Sequence, residues 1–92
     1  MNINEILTDE EIEDCIDGSS NIQLLRSIIE LTQQETLVDV GSFGDVFAYE
    51  IRGFIDADPE TEEWDRANDI NREWGETIAE NINDLITSKF TD

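Results

Sequence analysis

The chain has 92 residues and carries 24 acidic against five basic side chains, with no histidine, so its formal charge is −19 at pH 7. The length fits one acidic globular domain over residues 1–92 and leaves no room for a second core. Leucine, isoleucine, valine and phenylalanine make up 26 residues, which is enough apolar side chain to predict a folded rather than a disordered chain.

The charge excludes several classes of partner. Nucleic acids and anionic membranes carry the same sign and are bound through Lys and Arg, so neither is expected to bind. The sequence has no run of 18 apolar residues and no signal-peptide pattern at its N-terminus, which predicts a cytoplasmic protein. Basic protein surfaces remain as the expected partners.

The N-terminal third predicts two short helices. Thr8 and Glu11 have the spacing of a capping box, which predicts a helix over Asp9–Asp17 that ends at Gly18. Apolar residues then recur at helical spacing over Asn21–Gln33, which predicts a second, more buried helix.

The middle of the chain predicts an antiparallel hairpin. The segments Thr36–Val40 and Asp45–Ile51 are rich in Val, Phe and Tyr and are separated by a segment with two glycines. Phe54-Ile55 would extend the second strand beyond Gly53. The predicted pairing places two β-strands between the N-terminal helices and the rest of the chain.

A long acidic helix is predicted after Asp58-Pro59-Glu60, with Asp58 as the N-cap and Pro59 as the first helical residue. Its apolar stripe contains Trp64 and Trp74, which we expect in the core, since an exposed tryptophan would indicate a dimer or partner contact. Gly75 is a possible kink. The order α-α-β-β-α predicts an α+β fold: a hairpin packed with two short N-terminal helices and one long acidic C-terminal helix.

The acidic residues of the C-terminal helix form a row. On a helical wheel they occupy an arc of about 100°, opposite the apolar stripe, and the row is about 33 Å long. Like charges at these spacings oppose the helix by about 0.2–0.5 kcal/mol per pair, so the pattern favours a role outside the fold. The members of the row are Glu62, Asp65, Asp69, Glu73, Glu76, Glu80 and Asp84.

Two further groups of acids complete the candidate site. We expect the carboxylates of the first helix and of the segment before the C-terminal helix to join the row in one phosphate-like surface that binds a partner. These residues are Asp9, Glu10, Glu13, Asp14, Asp17, Asp56 and Asp58.

An enzyme or a metal site is not expected. No histidine is available for proton transfer near neutral pH, and Cys15 on an apolar helix face is typical of a core residue. The acids after Asp56 lack the pattern of a calcium loop, because Thr61 and Ala67 stand where an EF-hand requires Gly and Glu. No cofactor is predicted.

The charge pattern leaves three functional hypotheses. The leading hypothesis is a DNA-mimic inhibitor that occupies the basic DNA-binding groove of other proteins. The alternative is a nuclease-immunity or antitoxin-like protein that blocks one cognate enzyme through a few buried contacts. The third is an acidic assembly or structural module that uses the hairpin or the tryptophan stripe as its contact surface.

The N-terminal run Met-Asn-Ile-Asn-Glu-Ile-Leu-Thr-Asp-Glu-Glu, the length and the charge resemble the small acidic anti-restriction proteins of T-even phages. The resemblance implies a homodimer that imitates duplex DNA in the cytoplasm of the host cell. It also implies two kinds of host partner, a restriction enzyme of the McrBC type and a nucleoid protein of the H-NS type. It transfers no site residues, because it contains no residue-level motif.

Overall fold

A computed structural model describes residues 2–16 and 22–90 of the chain. The elements within these ranges are α1 Ile3–Ile6, α2 Asp9–Asp14, α3 Ile22–Thr32, β1 Gln33–Gln34, β2 Leu37–Val38, α4 Val40–Ile51, the 3-10 helix Arg52–Phe54 and α5 Glu62–Phe90. The α+β class is confirmed, with an antiparallel hairpin and a long acidic C-terminal helix. The positions of several elements differ from the prediction.

The capping box at the start of α2 is confirmed. The backbone N–H of Glu11 donates to Thr8 Oγ1 over 3.2 Å, and the Thr8 N–H donates to Glu11 Oε1 over 2.9 Å. The helix ends at Asp14, before the predicted end, and Asp17 lies outside the described residues. Helix α3 agrees with the predicted second helix to within one residue at each end.

The hairpin is shorter than predicted and begins earlier in the chain. Gln33 pairs with Val38 and Gln34 with Leu37, and Glu35 in the turn has a positive φ of 54°. The side-chain amide of Asn83 binds the backbone of Val38 twice, accepting from its N–H over 2.9 Å and donating to its carbonyl over 3.0 Å. These two bonds attach β2 to α5.

The predicted second strand, Asp45–Ile51, is wrong because this segment belongs to α4. Asp39 caps the helix by accepting the Ser42 N–H over 3.1 Å. The predicted extension at Phe54-Ile55 is also wrong, because a 3-10 helix occupies Arg52–Phe54. The apolar residues of α4 recur every three or four positions, which is a helical spacing; they are Val40, Phe43, Phe47 and Ile51.

Helix α5 begins at Glu62 rather than at Pro59. Asp58 accepts the N–H of Thr61 in a turn, and Thr61 Oγ1 in turn accepts the Trp64 N–H over 3.3 Å. Thr61 therefore caps the helix in place of Asp58. The helix continues without a break through Gly75 to Phe90.

Helix α4 packs antiparallel to α5 in the most extensive contact of the fold. Val38, just before α4, is bound to Asn83, and Gly44 within α4 lies against Gly75. Residue numbers therefore increase along α4 in the direction in which they decrease along α5. Residues from all five helices and from β2 form the core. Its largest fully buried side chains are Phe43, Ile3, Ile12, Leu25, Ile28, Ile29, Ile78, Ile82 and Ile86.

Candidate functional site

The predicted carboxylate row lies on the outer face of α5. Six of its seven members are exposed, and Glu76 is half-buried. The face toward the core is formed by Gly75, Ile78, Ala79, Ile82 and Ile86, so the acids project away from the packed interior. Because the helix is continuous, the row extends for about 33 Å along it.

Ion pairing leaves most of this row uncompensated. Arg72 binds Asp45 of α4 over 3.0 Å and lies 3.8 Å from Asp69. Within residues 2–16 and 22–90, Asp69 is the one member of the row with an ion-pair partner within 4 Å. The other members therefore carry negative charges that no ion pair within this distance neutralises in the described residues.

Two other basic residues are used to fix the N-terminal helices. Arg26 of α3 pairs with Asp9 over 2.7 Å, and Lys89 near the end of α5 pairs with Glu11 over 2.7 Å. The hydrogen bond from Lys89, together with the Thr8 backbone N–H, lowers the pKa of Glu11 below its ordinary value. These bases bind acids that lie outside the α5 row.

Of the two remaining bases, Arg52 is held on an aromatic ring of α4, and Arg66 lies on the side of α5 that carries the row. Arg52 lies on the ring of Tyr49, with its guanidinium carbon 3.7 Å from the ring centroid, and donates to the Tyr49 carbonyl over 2.6 Å. Arg66 is exposed on α5 and has no ion-pair partner within 4 Å in the described part of the chain. It lies four residues after Glu62 and three before Asp69, on the same side of the helix as the row.

Helix α2 continues the acidic surface at the C-terminal end of α5. Its predicted site residues Asp9, Glu10, Glu13 and Asp14 are all exposed. Asp14 and Asp84 line the same shallow cavity of about 410 Å³, and Asn81 of α5 donates to the Cys15 carbonyl over 3.2 Å. Asp14 of α2 and Asp84 at the end of the row are therefore neighbours. Asp17 lies outside the described residues.

Asp56 and Asp58 lie in the loop that leads into α5, and both are exposed. Asp58 Oδ1 accepts the Glu60 N–H over 3.2 Å, which fixes the carboxylate in the turn. In the described ranges, no group of three or more His, Cys, Asp or Glu residues is arranged to hold a metal ion. The loop thus presents separate carboxylates to solvent.

The structure also contains an apolar groove that was not predicted. It lies between α3, α4, the 3-10 helix with the residues that follow it, and the N-terminal half of α5, and its volume is about 650 Å³. Its apolar and aromatic lining includes Phe47, Ile51, Phe54, Ala67 and Trp74, and the carboxylates of Asp56 and Glu63 lie at the same groove. The feature of the sequence that points to this groove is the width of the apolar stripe on α5. Part of this stripe has no packing partner in the fold.

Exposed aromatic and aliphatic side chains surround this groove. Trp74 makes an edge-to-face contact with Phe47 at 5.1 Å between ring centroids but is 38% exposed, so its predicted core position is wrong. Phe54 is 87% exposed, and Ile70, one turn from Trp74 on α5, is 58% exposed. The stripe extends beyond the core because α4 covers only part of α5.

Cys15 lies in the core, as its helix face predicted. The thiol donates to the Glu11 carbonyl over 3.4 Å, and burial raises the pKa of this thiol. Both effects disfavour the reactive thiolate. Cys15 therefore contributes packing rather than nucleophilic chemistry.

The shape of the molecule resembles a short rod, 47 × 23 × 18 Å. With a net charge of −19, the long axis carries about one net negative charge per 2.5 Å, compared with about one per 1.7 Å in duplex DNA. None of the described helices is both long and apolar enough to cross a bilayer.

Comparisons with family models, with curated proteins and with solved structures found no match to this chain.

Proposed function

We propose that this protein is a DNA mimic that occupies the basic DNA-binding surface of host proteins. The observation that carries the proposal is the row of carboxylates from Glu62 to Asp84, which follows one face of a continuous helix and is almost free of ion pairs. A groove that binds phosphates through Lys and Arg attracts such a row by the same electrostatics.

The energetics of the row favour a partner outside the fold. Like charges three or four residues apart destabilise a helix by about 0.2–0.5 kcal/mol per pair. Arg26 and Lys89 pair with acids of α2, Arg52 lies on Tyr49, and Arg72 pairs with Asp45 and reaches one member of the row, Asp69. A basic partner would supply the missing positive charge on binding and relieve the repulsion.

The resemblance to the Arn-type anti-restriction proteins of T-even phages favours particular targets. We propose a restriction enzyme of the McrBC type as one partner and a nucleoid protein of the H-NS type as another, in the cytoplasm of the host cell. A homodimer would lengthen the acidic surface beyond the 47 Å of one chain, and sedimentation equilibrium would measure its formation.

Competition with DNA tests the proposal. A fluorescently labelled duplex is bound to each of several unrelated basic DNA-binding proteins, including one restriction enzyme and one nucleoid protein, and this protein is then added. A DNA mimic displaces the duplex from more than one of them, more strongly at low salt. The nuclease-immunity or antitoxin alternative predicts displacement from a single cognate enzyme, and failure to displace DNA from any protein contradicts both.

The triple variant Glu73→Gln, Glu76→Gln, Glu80→Gln tests the row itself. At about 0.2–1 kcal/mol per exposed charge, we expect competition about tenfold weaker and a smaller dependence on salt. The matched control is Glu30→Gln, Glu35→Gln, Glu50→Gln, which removes three exposed charges outside the row and should compete nearly as well as the wild type. Equal losses in the two triple variants would show that total charge, not its arrangement on α5, determines binding.

A further inference from the structure

We propose that the apolar groove between α4 and the N-terminal half of α5 binds a basic amphipathic helix of the partner protein. The inference rests on the proposed function, and it adds the structural feature of the partner that is recognised. Phe54, Ala67 and Trp74 are the residues that would contact the apolar face of this helix.

The dimensions of the groove match an entering helix. Its volume of about 650 Å³ lies within the ~300–1,000 Å³ of pockets that enclose most of a compact ligand. Its lining on α5 runs from Glu63 to Trp74, which is about 16 Å along the axis, or about three turns of a helix. The small side chain of Ala67 leaves the middle of this length open.

The groove also exposes more apolar surface than the fold requires. Phe54 is 87% exposed and Trp74 is 38% exposed, although both line the groove. Ile70, 58% exposed, lies on α5 between the groove and the carboxylate row. Exposed apolar patches rimmed by polar groups are typical of interaction sites, and an amphipathic helix buries such a patch with anchors three or four residues apart.

Charge complementarity determines which helix fits. Asp56 and Glu63 place two carboxylates at the groove, and none of the described residues that line it is basic. The α5 row lies on the other side of the same helix and adds to the negative potential around the groove at longer range. A second copy of this chain would bring the same acids against themselves, whereas a helix with Lys and Arg around an apolar stripe would neutralise them.

The apolar face of a folded recognition helix is packed on its own domain, so the helix that fits is a basic segment of the partner that is free of its domain and folds on binding. The carboxylate row would supply long-range attraction without much discrimination. Apolar contacts in the groove would add a part of the affinity that salt does not screen.

Three synthetic peptides of about 15 residues test the proposal with the full-length protein. The first has Leu at helical i, i+3, i+4 and i+7 spacing and Lys elsewhere, the second has Ala in place of Leu, and the third has Gln in place of Lys. Isothermal titration calorimetry measures each Kd at about 0.15 M NaCl. We expect the Leu/Lys peptide to bind at least tenfold more tightly than either of the others.

Variants of the protein locate the binding site. Ala67→Phe fills the groove and Phe54→Ala removes an exposed wall, and each should abolish most of the tenfold preference for Leu/Lys over Ala/Lys. The matched control is Phe90→Ala, which removes an aromatic side chain that is 52% exposed at the far end of α5 and should keep the preference. Circular dichroism checks that each variant is folded, and the NMR signal of the Trp74 indole N–H reports occupancy of the groove in the wild type.

Three results would overturn the proposal. Equal binding of the Leu/Lys and Ala/Lys peptides would show that the groove does not recognise apolar side chains. Equal binding of the Leu/Lys and Leu/Gln peptides would show that a basic occupant is not selected. A wild-type dimer that becomes a monomer on Ala67→Phe in sedimentation equilibrium would assign the groove to a second copy of this chain.

The experiment separates this inference from the proposed function. If DNA displacement is intact but the peptides bind equally, the inference fails and the DNA-mimic proposal stands. If no DNA-binding protein is displaced but the Leu/Lys preference is present and sensitive to Ala67→Phe, the proposed function fails, and the groove remains a site for basic helices.

Discussion

Gly44 of α4 and Gly75 of α5 lie against each other where the two helices cross. A Cβ atom on Gly75 would be 2.9 Å from Gly44 Cα and 2.8 Å from Phe47 Cβ, and a Cβ on Gly44 would be 2.8 Å from the Arg72 carbonyl. Neither approach leaves room for a methyl group. The two glycines therefore set the distance between α4 and α5. Helix α5 carries the acidic row, and both helices line the apolar groove.

We predict that Gly75→Ala destabilises the protein by about 1–3 kcal/mol, because overpacking at rigid backbone outweighs the gain of about 1 kcal/mol in helix propensity. Thermal unfolding followed by circular dichroism measures the change. The matched control is Gly41→Ala in α4, where the nearest atom would be Asp39 Oδ1 at an ordinary 3.6 Å, and this variant should be as stable as the wild type or more so. A Gly75→Ala variant that gains stability like Gly41→Ala would contradict the close contact.

Arg26 connects α3 to the two N-terminal helices. Its guanidinium donates to the Asn4 carbonyl over 2.8 Å, the Leu7 carbonyl over 3.0 Å and Asp9 Oδ1 over 2.7 Å. Because a lysine ammonium cannot reach these separate acceptors at once, we predict that Arg26→Lys costs about 1–3 kcal/mol.

Urea unfolding measures the effect of Arg26→Lys on the free energy of unfolding. The matched control is Asp9→Asn, which removes only the ion pair with a carboxylate that is 72% exposed and should cost less than about 1 kcal/mol. If the two variants lose the same stability, the carbonyl bonds of Arg26 contribute nothing measurable.

The pair of Lys89 and Glu11 predicts a pH-dependent contribution to stability. The Lys89 hydrogen bond lowers the pKa of Glu11 in the folded state below the ordinary value of 4.5. A carboxyl group whose pKa is lower in the folded state stabilises the protein at pH values above its unfolded-state pKa. This contribution is lost as the pH falls through the folded-state pKa. The difference in Tm between the wild type and Lys89→Met should therefore be present at neutral pH and shrink below about pH 4.5.

The control for this prediction is Glu11→Gln, because glutamine keeps the capping box with Thr8 but cannot titrate. In a Glu11→Gln background, Lys89→Met should change Tm by an amount that does not depend on pH in the acidic range. A pH dependence that persists there would assign the effect to a carboxylate other than Glu11.

Repulsion among the acids predicts that salt stabilises the fold. The Debye length is about 10 Å at 0.1 M and about 3 Å at 1 M ionic strength, whereas neighbouring members of the α5 row lie about 5.5 Å apart along the axis. We predict that Tm rises as NaCl increases over this range. The Glu73→Gln, Glu76→Gln, Glu80→Gln variant should gain less, and a Tm that falls steadily with NaCl would contradict the repulsion.

Local features were predictable because they depend on neighbours in the chain. The capping box of Thr8 and Glu11 needs only three residues of spacing, and the position of the acids on one side of α5 follows from the helical period alone. The start of α5 was misjudged by three residues because Thr61 and Asp58 are both good caps, and the turn at Asp58 favoured Thr61.

The segment Asp45–Ile51 shows where local preference fails. Its Val, Phe and Tyr residues favour a strand, but Val40 and Phe43 just before it both pack on the core, and residues three positions apart share a face in a helix and not in a strand. Packing against α5 requires the close approach of Gly44 and Gly75, two residues 31 positions apart. Tertiary contact thus outweighs β-propensity at this position.

The sequence by itself therefore determined the capping box of Thr8 and Glu11 and the one-sided distribution of negative charge, because local spacing and helical periodicity are properties of the chain. Only the tertiary structure decided which bases pair with which acids, how far α4 covers the apolar stripe of α5, and where Trp74 and Phe54 remain exposed. These outcomes depend on which distant residues meet, and the contacts that select them form only when the helices pack together.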